Sequence, residues 1–174
     1  MSYKNENMKM IELHENGLDI QFRIRENGVV ELADFSSQEV KKAIMEPKED
    51  ICYPAVEIHR SGTGSLNMHA YKNNINQSSA DFVYENHELK EQDGGKELEI
   101  VMVSPEKLKA VYHMRLFDGV PAVQTWTEII NEGSEDQGLT YVSSFMYQGI
   151  SRGGEKPYYK KTDIYVPFNS WCCE

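Results

Sequence analysis

The stretch ELEIVMVSPEKLKAVYHMRLFDGVPAVQTWTEII, residues 97–130, decides the fold class. From Glu97 to Val103, Leu98, Ile100 and Met102 alternate with Glu99 and Val101, and from Leu108 to Phe117 the alternation runs through Ala110, Tyr112, Met114 and Leu116. A period of two places each apolar set on one side of a strand, so both strands have a face meant for burial. Ser104-Pro105-Glu106 between them is a connection of hairpin length. Asp118-Gly119-Val120-Pro121 makes the next turn, and Ala122–Ile130 carries the threonines, isoleucines and tryptophan of a third strand, with Trp126 read as core.

The same signals extend in both directions. Leu18, Ile20, Phe22 and Ile24 alternate with polar residues, Glu26-Asn27-Gly28 supplies a turn, and Val29–Phe35 returns as a hairpin partner. Ala55–Arg60, Leu139–Tyr147 and Thr162–Phe168 bring the expected set to about eight strands. Helical spacing is confined to Ser37–Met45, too short to set the class. Gly62 to Gly95 reads as long loops with one or two strands, Asp81–Tyr84 for example. The expectation is an all-β domain of two packed, mainly antiparallel sheets, with no repeat and no linker across residues 1–174.

Composition narrows the function. With 174 residues, 40% hydrophobic and 26% charged, the chain has globular composition and enough length for one self-supporting core. Eighteen Lys and Arg against 28 Asp and Glu give a net charge of -10, which disfavours nucleic acid and membrane surfaces as partners. No apolar run reaches the ~20 residues of a spanning helix, and Met1–Met10 has no signal-like hydrophobic core, so a soluble cytoplasmic protein is expected. Cys52, Cys172 and Cys173 suit neither a disulfide framework nor a zinc knuckle, and read as reduced thiols.

Motifs for chemistry are sparse. Gly62-Thr63-Gly64 lacks the residues of a phosphate loop. His14, His59, His69, His87 and His113 form no close pairs, so no metal ligands and no cofactor are expected, and only a metal site assembled in space stays open. His59 and His113 read as sheet-face residues. Glu85, Glu88, Glu91, Asp93, Glu97 and Glu99, interleaved with Lys90 and Lys96, read as a solvated face rather than a catalytic carboxylate pair. No nucleophile elbow or triad spacing occurs, and no catalytic residue is assigned. Tyr147, Tyr158, Tyr159 and Trp171 are candidates to line a groove or a subunit contact.

Phe117-Asp118-Gly119-Val120-Pro121-Ala122-Val123-Gln124-Thr125-Trp126-Thr127-Glu128, with Asn131-Glu132-Gly133, resembles the amino-terminal domain of glycoside hydrolase family 36, the α-galactosidases. Leu139–Phe145, Lys96–Val101 and the closing YVPFNSWCCE of residues 165–174 extend the likeness from about Val29 to Glu174. The resemblance implies a galactose-mutarotase-like β-supersandwich. It also implies that the catalytic aspartates lie in a following (β/α)8 barrel that this chain does not contain. The expected role is packing against that barrel and assembly of a homo-oligomer, with an apolar face left exposed in isolation and no catalysis by the domain alone. The parent would cleave terminal α-galactosides with retention. Loop Ser61–Asn74 is the sugar-proximal candidate: where a family subgroup has paired histidines and a glycine, this chain reads Met68-His69-Ala70, which keeps only His69. His69, Trp171 and Tyr147 are therefore the sugar or interface candidates. The alternatives are a freestanding carbohydrate-binding β-sandwich that recognises galactosides, and a mutarotase-like isomerase with a histidine base.

Overall fold

The computed structural model describes residues 9–37, 53–62, 77–147 and 165. Their secondary structure is β1 (Lys9–Glu15), β2 (Leu18–Ile24), β3 (Val30–Ser37), β4 (Ile58–Arg60), the single turn α1 (Gln77–Ala80), β5 (Val83–Gln92), β6 (Gly95–Val103), β7 (Leu108–Phe117), β8 (Val120–Asn131) and β9 (Leu139–Val142). Antiparallel β1-β2-β3 forms one sheet, antiparallel β5-β6-β7-β8 a second, and β4 pairs with β9 in a short ribbon. The chain is an all-β sandwich, and no described helix is long and apolar enough to cross a membrane.

Alternation in sequence becomes a two-sided sheet. Leu98, Ile100 and Met102 of β6 and Leu108, Ala110, Tyr112, Met114 and Leu116 of β7 are buried on one face, where they meet Ile11, Leu13, Ile20 and Phe22 of the three-stranded sheet. Phe22 and Tyr112 touch edge to face across the two layers, ring centroids 5.7 Å apart. The Asn16-Gly17 pair has positive φ at both positions, 52° and 84°, which suits the twist of the β1–β2 hairpin. Asn16 also fastens the layers, since its Nδ2 donates to the Phe117 carbonyl at 2.9 Å and its Oδ1 accepts from the Gly119 N–H at 3.0 Å. At Gly95, φ is 156° and a Cβ would lie 1.9 Å from the Leu116 carbonyl oxygen, so only glycine lets β6 begin there.

Buried serines complete the short strand. Ser78 and Ser79 of α1 donate to the Ile58 carbonyl at 2.5 and 3.0 Å, and the Ile58 N–H donates to Ser79 Oγ at 2.8 Å. Side-chain hydroxyls thus supply hydrogen bonds that a neighbouring strand would otherwise give β4.

Several expectations are corrected. The strand expected within Gly62 to Gly95 at Asp81–Tyr84 starts at Val83 and runs on to Gln92, ten residues in all. Its charged residues are compatible with strand because β5 is an edge of its sheet with little to bury. Lys9–Glu15 adds an unexpected first strand. The strand expected from Ala55 starts at Ile58, and that expected to reach Tyr147 ends at Val142. Ser37 closes β3 instead of opening a helix, and the rest of Ser37–Met45 lies outside the described residues, as does Thr162–Phe168 except for exposed Tyr165. The three cysteines also lie outside them. Trp126 is not core: it is half-buried on the outward face of the four-stranded sheet.

Candidate functional site

The outward face of the four-stranded sheet should be solvated, because its inward face already takes the apolar residues. It nevertheless holds a buried polar patch. Register aligns Glu88, Glu99, His113 and Trp126 in one row across β5 to β8, with Glu97 of β6 in the adjoining row. The side chains of His113 and Glu97 are both only 8% exposed, against the expectation that Glu97 belongs to a solvated face. His113 does lie on a sheet face, as its place in the strand predicts.

His113 Nδ1 lies 2.8 Å from Glu97 Oε1. A carboxylate only accepts, so Nδ1 carries the proton of that bond. Glu99 Oε1 is 3.9 Å from the same nitrogen, and Glu128 Oε1 is 3.8 Å from Nε2 on the other side of the ring. Nε2 is buried without a hydrogen-bond partner. The indole of Trp126 stacks on the imidazole with centroids 4.6 Å apart and planes 4° from parallel, which fixes the ring's orientation. The carboxylates are held from behind: Gln92 Nε2 donates to Glu97 Oε2 at 2.7 Å and Lys90 Nζ to Glu99 Oε2 at 2.5 Å. Arg115, opposite Glu97 in register, turns instead to the Asp93 carbonyl and the Phe117 ring. The patch therefore gathers one imidazole and three carboxylates, and Lys90 is the cation that contacts them.

The candidates taken from sequence are not brought together there. Tyr147 lies against the other sheet, its hydroxyl donating to Asp34 Oδ1 at 3.3 Å and its ring 6.4 Å from that of Phe35. It is half-buried as a packing residue. His69, Trp171, Tyr158 and Tyr159 lie outside the described residues, as does nearly all of loop Ser61–Asn74. His59 on β4 is half-buried, with Nε2 3.1 Å from Glu57 Oε1 and its ring tilted against Tyr141.

Sequence reading missed Glu97, Glu99, Trp126 and Glu128 as partners of His113 because no two of them and His113 are close in the chain. A signal was present. Glu99 and His113 are equidistant from Glu106 at the first turn, and His113 and Trp126 are equidistant from the Gly119–Val120 bond at the second. Hairpin pairing about those turns puts the three side chains side by side.

A second feature is an open hollow of about 570 Å³ lined by Glu106, Lys107, Glu132, Gly133 and Glu135, where the β6–β7 turn meets the chain leaving β8. Burial raises the Glu106 carboxyl, but its own backbone N–H, the Arg60 guanidinium and the Ser104 hydroxyl outweigh this and hold it below the usual carboxylate value. Arg60 Nη1 lies 2.6 Å from Glu106 and Nη2 3.0 Å from Asp81, so the hollow's inner wall is tied into the fold. No protein-family profile matches the chain, and no curated protein matches it.

Proposed function

We propose that the chain is the amino-terminal, non-catalytic β-supersandwich domain of an α-galactosidase-like glycoside hydrolase, where it packs against the catalytic barrel and supports oligomer assembly. The observation that carries this reading is the contrast between the two edges of the four-stranded sheet. Edge strand β5, VYENHELKEQ, is studded with Glu85, Glu88, Lys90 and Glu91. Such charges keep an edge from pairing with other chains. Edge strand β8, VPAVQTWTEIIN, is longer and has Glu128 as its one charged residue. Among the described residues β8 pairs only with β7. Val120 and Ile130 at its ends are 47% and 42% exposed, and Val123 and Ile129 on its inward face are only partly covered. An edge of this length with a single charge is a pairing and aggregation hazard unless something covers it.

The stretch carrying the α-galactosidase resemblance, residues 117–128, is largely this same strand. Asp118 to Ala122, Gln124 and Glu128 of this stretch are exposed, which suits a contact with further polypeptide. Catalysis belongs to the barrel in this reading, so the chain by itself is silent. Purified chain should give no turnover of an aryl α-galactoside, and turnover surviving removal of contaminants would overturn the reading. Titration with galactose or raffinose, followed by amide shifts, should likewise be flat. Saturable shifts would make it a carbohydrate-binding module instead.

A further inference from the structure

We propose that Glu97, Glu99 and His113 form a binding site for a first-row divalent transition cation of the zinc or manganese class, on the outward face of the four-stranded sheet. His113 Nδ1 and one carboxylate oxygen from each glutamate lie within 4.8 Å of one another. Metal bonds of about 2.1 Å would place neighbouring ligand atoms roughly 3–3.5 Å apart. The Nδ1 distances of 2.8 Å to Glu97 and 3.9 Å to Glu99 bracket that range. Shifts of about half an ångström bring both carboxylate oxygens to that distance from Nδ1, with solvent taking the remaining positions.

The unpartnered Nε2 is the independent observation. Nδ1 carries the proton that Glu97 accepts, and the buried Nε2 has no hydrogen-bond partner, with Glu128 Oε1 3.8 Å away. When a cation takes the Nδ1 lone pair, the ring's proton moves to Nε2, where Glu128 accepts it. Glu128 is 57% exposed and has room to approach. Metal binding thereby gives the unpartnered Nε2 an acceptor. Each ligand then has a partner behind it: Glu128 for His113, Gln92 for Glu97 and Lys90 for Glu99. Such outer partners orient metal ligands and fix the histidine tautomer. One imidazole with two carboxylates suits zinc or manganese better than the all-oxygen cages of calcium.

The test is titration of the chelator-stripped chain with Mn²⁺, which has little affinity for the three thiols, and with Zn²⁺ after their alkylation. Calorimetry and Trp126 fluorescence both report, because the indole stacks on the ligating ring. Saturable binding near one ion per chain is expected, with the fluorescence change lost in Trp126→Phe. Glu99→Gln should weaken binding about ten-fold or more, and His113→Phe should abolish it. Glu128→Gln, which touches no proposed ligand oxygen, should weaken it about ten-fold through the histidine tautomer. His14→Asn, at the exposed His14–Asp19 pair, should change nothing. Glu99 and Glu128 lie outside the core, so their variants report even if His113→Phe fails to fold. No saturable binding of either ion, or binding that Glu99→Gln and Glu128→Gln leave intact, would overturn the proposal.

Discussion

Phe22 is the sharpest probe of how the two sheets are joined. It is fully buried on β2 and meets Tyr112 of β7 edge to face at 5.7 Å, so it belongs to the contact between layers and not to either sheet alone. Phe22→Ala removes a whole ring from a packed site, a change that costs about 3–5 kcal/mol. For a chain of this size each kcal/mol is worth roughly 2–4 °C, so the melting temperature should fall by about 10 °C. The contact itself is isolated by a cycle of Phe22→Leu, Tyr112→Leu and the double variant, read by urea unfolding. An edge-to-face pair should show a coupling of about 0.5–1.5 kcal/mol beyond the area lost. The Tyr112 hydroxyl also bonds Thr125, and that loss appears in both arms of the cycle and cancels. A coupling of zero together with a Phe22→Ala cost under about 1 kcal/mol would refute the packing of these sheets face to face.

Gly95→Ala should cost more than about 2 kcal/mol in the same assay, because its Cβ would sit 1.9 Å from the Leu116 carbonyl oxygen at φ 156°. A neutral result would mean that β6 starts elsewhere. Stability should also depend on His87, which burial, with the nearby Lys9 charge adding to it, holds below the ordinary 6.5. The unfolded chain then binds a proton more readily than the folded one, so this contribution is present above pH 6.5 and is lost as pH falls from there toward the lowered folded value. Exposed His14, raised first by its hydrogen bond to Asp19, acts in the opposite sense and weakly. His87→Asn should flatten the fall in stability between about pH 7 and about pH 5, and an unchanged slope would contradict this.

Strands that bury one face were the legible part of the sequence. Leu18–Ile24 and Leu108–Phe117 appear with the ends their alternation marks, because period two is the direct imprint of a half-buried strand. β5 was legible only at its start, Val83-Tyr84, since an edge strand with charged residues on both sides leaves no such imprint beyond it. Trp126 was misread for a related reason: it is a strong strand former, but propensity does not say which face a residue takes, and its register with His113 puts it outward. The buried patch around His113 escaped a search for local spacing because its members come from three strands, β6, β7 and β8. Only pairing about the two turns unites them.

The most direct test is the intact mass of the native gene product from its source cells. A domain whose β8 edge is covered by a catalytic barrel requires a product several times the 20.0 kDa of this chain. A native product of 20.0 kDa would mean that no barrel follows and would contradict the proposed role.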